Sequence, residues 1–427
     1  MSDNVPAPTG DGPGAAILRA ADSLRSKGAV ALRDLDDRRL EEAFLDTVAA
    51  FRDPTSPERR GVDPELRESA ALSKGCLDAS LAALLDGFSA EEVRRVFASG
   101  RRARKYPRLA SAGGAGGVDR ERAGVSPHLI VLAGSLPGIA LAPLLASLAA
   151  RRPAILKSSS REPFFAPAFT NALAAREPAL GDAVAAAVWR GGDASIESTL
   201  LREVGLVVAY GGARALADLR RRAAPKLIAF GPKASVAIVA GELEPASLDA
   251  TAAALARDVA LFDQRGCLSL QSIYTDGDAV ALAAALARAL EEAARLWPPL
   301  ALSPAEAGAL RSMREEAAFL GCDVAATPLD QATIVVDRRA LFLPSPGHRA
   351  VRIHPVPDAD AALAILRPHA ARVQGVAVAG AAADGLIDRL AALDVSYVCA
   401  PGELQSPGAS WRNGGIDLVA TLASDAQ

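Results

Sequence analysis

The chain has 427 residues, 50% of them apolar and 23% charged, the balance of a globular protein with core enough for two or three domains. A net charge of -3 excludes a general nucleic-acid binder. Four scattered cysteines (Cys76, Cys267, Cys322, Cys399) form no CxxC pair, which excludes a disulfide framework and suits a reducing cytoplasm.

The opening, residues 1–14, is polar and rich in proline and glycine. It lacks the basic start and apolar run of a signal peptide and reads as a disordered tail. Residues 14 to 110 read as mainly helical. In "SAEEVRRVFAS" Ser89 is the N-cap, with glutamates in the first turn. The basic run "RRARKYPR" (101–108) reads as a solvated loop, against the alternative of a patch for phosphates. "SAGGAGGVDRERAG" reads as a flexible linker; no Gly-Lys-Ser/Thr follows, so it is not a phosphate loop. Lysine is scarce, six residues in all (Lys27, Lys74, Lys105, Lys157, Lys226, Lys233), so each one invites a reason for not being arginine.

"LIVLAGSLPGIALAPLLASLAA" (129–150) is long and apolar enough to span a bilayer, but "GSLPG" breaks it. A buried strand, a tight turn and a buried helix fit better, and no membrane span is expected. From 128 to 240, β-type runs ("HLIVLAG", "PAILKSS", "VAAAVWRG", "LVVAYGG", "KLIAFGP") alternate with helical segments. That spacing predicts an α/β fold with a parallel, doubly wound sheet, whose ligands bind at the carboxyl ends of the strands. "YGGARA" places Gly211 and Gly212 there, where glycines let the backbone turn sharply and approach an anionic phosphate; an ordinary turn is the competing reading. "AILKSSSREP" places Lys157, followed by three hydroxyls (Ser159 and Ser160 among them) and Arg161, a set able to hold a ribose or phosphate or else a solvated turn.

A second α/β unit begins near 241, so the chain divides at 15–240, 241–405 and a closing segment, 406–427, that packs on the core or serves oligomerisation. An amphipathic pattern over 247–262 leads into "FDQRGCLSLQ", then the β-type "SIYTD" and an Ala-rich helix, 278–296. Cys267 alone would read as a small buried hydrophobe. Its neighbours Gln264, Arg265, Gly266 and Ser269 are not apolar, and nearby positive charge or oriented N–H groups would favour the thiolate, the form that attacks carbonyls. His128, His348 and His354 read as surface or structural, and no His/Cys/Asp cluster has metal-ligand spacing, so no metal is expected.

Taken together, these loops resemble the aldehyde dehydrogenase superfamily, and within it the LuxC-type acyl-CoA reductases. "AGSLPGIA" resembles that branch's Gly-Asn-x-Pro-Gly turn and "AILKSSSREP" the superfamily's Lys-Pro-Ser cofactor segment. "VAYGGARA" stands for Phe-Thr-Gly-Ser and "IAFGPKASVAIV" for Glu-Leu-Gly-Gly-Lys-Ser. "FDQRGCLSLQS" resembles Asp-Gln-x-x-Cys-x-Ser-Pro-Gln, and "WRNGGIDL" the closing Trp-x-x-Asp-Gly. The resemblance runs from about residue 60 to the end.

It implies an aldehyde-dehydrogenase-like fold, with a cofactor-binding domain in 15–240 and a catalytic thiol domain in 241–405. Cys267 would be the nucleophile, Lys157 would hold the adenine-side ribose, and Gly211 and Gly212 would lie near the pyrophosphate. Ser160 stands where NAD-preferring relatives often carry a glutamate; without that carboxylate, and with Arg161 beside it, NADPH is expected over NADH. Ala229 replaces the glutamate that activates water in aldehyde oxidation, which favours reduction of an activated acyl group. Ser135 replaces the asparagine that binds the oxyanion, a donor whose loss costs roughly 10²–10³ in rate. Leu270 replaces a proline.

The implied reaction is NADPH-dependent reduction of acyl-CoA or an acyl carrier thioester to an aldehyde, with an acyl-activating or acyl-transferring partner enzyme and a homo-oligomeric state. Two rival readings are an acyl-phosphate or semialdehyde reductase of the same fold and a non-catalytic binding or assembly member.

Overall fold

The computed structural model describes residues 13–105, 126–132, 134, 136–223, 226–327, 331–339, 341–381 and 383–424. The chain forms two compact units, one from 1–70, 88–231 and 417–427 and the other from 71–87 and 232–416. The expected tail and Gly-rich linker lie outside the described residues, the first two positions of the helix that begins at Pro13 excepted.

The first unit opens helical. In the helix Asp37–Arg52, the Asp36 side chain accepts from the Arg38 N–H, and Leu40, Phe44, Val48 and Phe51 recur on one buried face. Phe44 and Phe51 pack on Phe165 and Phe169 of the helix Phe165–Arg176, with ring centroids 5.3–5.7 Å apart. The helix Ala90–Lys105 starts where Ser89 Oγ accepts from the Glu92 N–H at 3.3 Å. It runs through Arg101–Lys105, which corrects the reading of the basic run as a loop from Arg101. Arg101 and Arg104 reach Asp37 across the unit, and 106–108 lie outside the described residues.

Five strands follow: β1 His128–Val131, β2 Ala154–Ser158, β3 Val184–Val188, β4 Val207–Tyr210 and β5 Leu227–Phe230. Each coincides with a β-type run of the sequence. They form one parallel sheet in the order β3-β2-β1-β4-β5. The order reverses direction between β1 and β4, the point where open α/β sheets leave a crevice at their carboxyl edge. The bilayer-length run resolves into β1, a turn with Gly134 (φ 79°) and Gly138 (φ 88°), and the buried helix Leu141–Ala149. Both glycines occupy the left-handed region that side chains avoid. Among the described residues no helix is long and apolar enough to cross a membrane.

The second unit holds seven strands: β6 Ala234–Ala240, β7 Leu270–Thr275, β8 Asp323–Ala326, β9 Thr333–Val336, β10 Ala350–Pro355, β11 Val373–Gly380 and β12 Val398–Cys399. Their order is β12-β11-β6-β7-β10-β9-β8, and all pairs are parallel except β8 with β9. Every residue of β6 is buried because both faces of the sheet are covered. Ala237 and Val239 meet Leu255 and Leu286 of the helices Pro245–Ala260 and Ala279–Leu296. Val236 and Ile238 meet Leu363 and Leu390 of Ala359–Leu366 and Ala383–Ala391. Each such leucine contributes about 1.5–3 kcal/mol by leaving water.

The units change over at 231/232 rather than 240/241, because "ASVAIVA" is the first strand of the second sheet. Residues 71–87 belong to this unit through distant partners: Ser80 Oγ accepts from the Phe262 N–H at 2.7 Å, and Cys76 Sγ lies 3.6 Å from the Ala260 carbonyl. The closing helix Leu418–Ser424 packs in the first unit against Ala90–Lys105.

Candidate active site

Cys267 stands at the end of an unusual local path. After the helix Pro245–Ala260, three consecutive residues, Phe262, Asp263 and Gln264, take φ of 52°, 51° and 59°. Each costs about 1–2 kcal/mol against the right-handed alternative. Tertiary bonds hold them there. The Gln264 amide nitrogen donates to the carbonyls of Leu270 and Ala350, both at 2.7 Å, and its oxygen accepts from the Ala350 N–H at 2.8 Å. Asp263 pairs with the buried Arg349 at 2.8 Å, and Arg349 also donates to the Trp297 carbonyl. The result is a chain reversal fixed to the starts of β7 and β10.

The turn Gly266–Ser269 follows. The Ser269 N–H donates to the Gly266 carbonyl, Ser269 Oγ accepts from the Gly266 N–H, and Gln405 donates to Ser269 Oγ. From β6, Ser235 Oγ donates to the Cys267 carbonyl at 2.9 Å. The thiol is thereby presented from a braced turn. Cys267 is exposed, whereas Cys76 is buried and Cys322 and Cys399 are half-buried.

Although the residue as a whole is exposed, the protein packed around its sulfur desolvates that atom and pushes the thiol up to about 11. The N–H groups of Cys267 and Leu268 and the Lys233 ammonium act the other way. Positive charge and oriented donors are therefore present, as the sequence suggested, but desolvation outweighs them and the resting group is the thiol. The cation is not the adjacent Arg265, whose guanidinium lies 3.9 Å from Asp263, but Lys233, just before β6. Sequence reasoning gave Lys233 no role; the scarcity of lysine was the available signal.

The first unit carries the other group of candidates. Lys157, the penultimate residue of β2 at its carboxyl end, is 7% exposed with Nζ 5.8 Å from the Trp189 ring centroid. Desolvation lowers its pKa and Glu197 opposes the shift. Glu197 is occupied in turn by Trp189 Nε1, the Gly192 N–H and Arg222, which fixes the "GGDAS" loop beside Lys157. Beside the buried Lys157, the hydroxyl of Ser158 is buried without a partner. An ammonium beside a buried, unpartnered hydroxyl at a strand end fits a polyol or phosphate ligand.

Ser159 Oγ accepts from the Arg161 N–H, and Ser160 and Arg161 are exposed. Gly211 and Gly212 follow β4, with the Gly211 N–H bonded to the Phe230 carbonyl. Neither has a positive φ, so the turn itself does not demand glycine, contrary to expectation. A Cβ on Gly212 would meet nothing within 4 Å, which leaves open space before the helix Ala213–Ala223. Ser135 lies outside the described residues. Ala229, on β5, offers no carboxylate.

The histidines have structural surroundings. His128 is buried, 3.2 Å from Ser147 Oγ, and burial pushes it down to about 3. His354 is buried against Tyr274, and its Nδ1 faces the carbonyls of Asp337 and Arg339. His348 Nε2 lies 3.4 Å from Glu306. Among the described residues no group of three His, Cys, Asp or Glu is placed to hold a metal ion.

A family model described as acyl-CoA reductase (LuxC) matches residues 119–422. The long-chain acyl-protein thioester reductase of Aliivibrio fischeri is 28% identical over 248 residues, 56% of this chain and 50% of that one. The chain spans about half the length of the curated relatives it matches. Among solved structures, the NADP-dependent glyceraldehyde-3-phosphate dehydrogenase of Bacillus halodurans is similar at a TM-score of 0.62 and 14% identity, over 91% of this chain and 83% of that one. Aldehyde dehydrogenase C of Pseudomonas syringae gives 0.60 at 14% identity, over 91% and 81%. At these identities the likeness is one of fold, and the fold is aldehyde-dehydrogenase-like.

Proposed function

The chain belongs to the acyl-CoA reductase (LuxC) family, and from that premise we propose that it reduces an acyl thioester, carried on coenzyme A or a carrier protein, to an aldehyde through an acyl-cysteine at Cys267. The observation that carries the proposal is the exposed Cys267 in a turn braced from β6, β7 and Gln405, with two N–H groups and one ammonium favouring its anion.

Cys267 gives up its proton to water, and its sulfur attacks the thioester carbonyl carbon. A C–S bond forms, and the oxyanion is held by the Cys267 N–H, with the Ser135 hydroxyl proposed as a second donor. Collapse breaks the bond to the carrier thiolate, which leaves and takes up a proton. A reduced nicotinamide, when bound, would supply the hydride that the acyl carbon of the Cys267 thioester takes up. The oxyanion on the Cys267-bound carbon then collapses, the C–S bond breaks, and aldehyde and thiolate separate. With Ala229 in place of a base, water attacks the acyl-cysteine slowly and the acyl group persists for reduction.

Lys157 would hold the adenine-side ribose of the cofactor, with Ser159 and Ser160 beside it. The open space before Ala213 and the free N–H groups of that helix start suit the pyrophosphate near Gly211 and Gly212. The exposed Arg161, with no carboxylate at Ser160, favours NADPH over NADH. A reducing cytoplasm keeps the thiol free. A separate enzyme that loads the acyl group and self-association of the chain complete the proposal.

The test is a panel of acyl-CoA lengths with NADPH, following nicotinamide oxidation and aldehyde. Cys267→Ala should lower the rate by about 10³-fold or more. An undiminished rate overturns the proposal, and turnover of acyl-phosphate but not thioester would move it to the rival substrate class.

A further inference from the structure

We propose that Lys233 is the residue that sets the reactivity of Cys267, its ammonium serving as the fixed countercharge of the thiolate. This inference rests on the reading of Cys267 as the nucleophile.

The topology brings the two together. β6 and β7 are adjacent parallel strands paired at Ser235 with Leu270. Lys233 lies two residues before Ser235 and Cys267 three before Leu270, so both stand at the amino ends of neighbouring strands. The bond from Ser235 Oγ to the Cys267 carbonyl, 2.9 Å, ties these ends. On the other side the "NGG" turn closes on the lysine. A Cβ on Gly414 would lie 3.1 Å from Lys233 Nζ, and Gly414 (φ 60°) and Gly415 (φ 80°) take backbone conformations that side chains rarely adopt. Asn413 Oδ1 accepts from Gln374 Nε2 on β11, which anchors that turn.

Lys233 is half-buried, and among the described residues no carboxylate pairs with it. The charged groups near the thiol turn are otherwise engaged. Asp263 pairs with Arg349, Arg265 leans toward Asp263, and Glu403 accepts from the Ala400 N–H. Arg412 immediately precedes the "NGG" turn. The interaction of Lys233 with the Cys267 sulfur is mutual: each shifts the other toward its charged form. An arginine at 233 would bring a wider planar group against Gly414, which gives one of the six lysines a reason not to be arginine.

The experiment is the rate of iodoacetamide alkylation of Cys267 in the purified full chain, read by peptide mass spectrometry across pH. Lys233→Met and Lys233→Gln should each raise the apparent thiol pKa by about one unit, so that labelling at a fixed pH below it falls about tenfold. Lys233→Arg should recover part of the loss. Added salt should slow labelling of the unmodified protein by screening the pair, a readout that needs no variant to fold. Unchanged pH profiles in the neutral variants, or labelling of the parent that ignores salt, overturn the inference. Because alkylation reads the thiol directly, absent aldehyde formation with an intact Lys233 effect would sink the reductase reading alone.

Discussion

A thiol held near 11 is about one part in 10⁴ ionised at neutral pH. Alkylation of Cys267 should therefore rise roughly tenfold per pH unit from 7 toward 10, and a plateau below pH 8 would contradict the balance of desolvation over Lys233 and the two N–H groups. Lys157 gives a second prediction at this scale. Replacing its ammonium, desolvated at the end of β2, by methionine should weaken NADPH binding by about 10–100-fold, measured by fluorescence titration, with the melting temperature little changed. The sequence singled out both as candidates by their polar neighbours, Cys267 in the turn before β7 and Lys157 near the end of β2, ahead of the Ser159–Arg161 run. Lys233 and Gln264 were not, since their partners are separated from them in sequence and appear only when β6, β7 and β10 align.

At the scale of elements, the left-handed segment 262–264 depends on Gln264. Gln264→Leu leaves the carbonyls of Leu270 and Ala350 and the Ala350 N–H without this partner, and should cost about 2–4 kcal/mol in the unfolding transition of its unit. Asp258, fully buried on the helix Pro245–Ala260, accepts from the N–H groups of Gly402 (2.6 Å) and Leu404 (3.0 Å). Burial raises it to about 7 in spite of those bonds. The folded pKa exceeds the ordinary carboxyl value, so its contribution is present below about pH 4 and is lost as pH rises through 7. His128 runs oppositely, losing stability as pH falls below its ordinary value. The difference between parent and Asp258→Asn isolates the carboxyl: the variant's melting temperature relative to the parent should rise between pH 5 and pH 8. A flat difference would contradict this. The five strands of the first sheet were readable because apolar runs and helical segments alternate at βαβ spacing. The helical character of Lys74–Asp86 was readable, but its place in the second unit, made by the Ser80 and Cys76 contacts, left no local mark.

For the molecule as a whole, each compact unit is built on its own mostly parallel sheet, and each carries part of the proposed chemistry. The order β3-β2-β1-β4-β5 puts Lys157 and the Gly211–Gly212 loop at carboxyl strand ends, and the second sheet presents Cys267 from the amino end of β7. The α/β class was legible from the alternation of β-type runs with helical segments, and the family from six motifs that occur in order along the chain. The changeover at 231/232 was not, because "KLIAFGP" and "ASVAIVA" read as one continuous β-rich stretch and only strand pairing assigns them to different sheets. The claim on which the functional account turns is covalent: the acyl group passes through Cys267. Incubation with a long-chain acyl-CoA in the absence of nicotinamide, followed by peptide mass spectrometry, tests it directly. One acyl adduct on the Cys267 peptide is expected, discharged as aldehyde when NADPH is added; an unmodified Cys267, or an adduct that NADPH leaves in place, would overturn the covalent route.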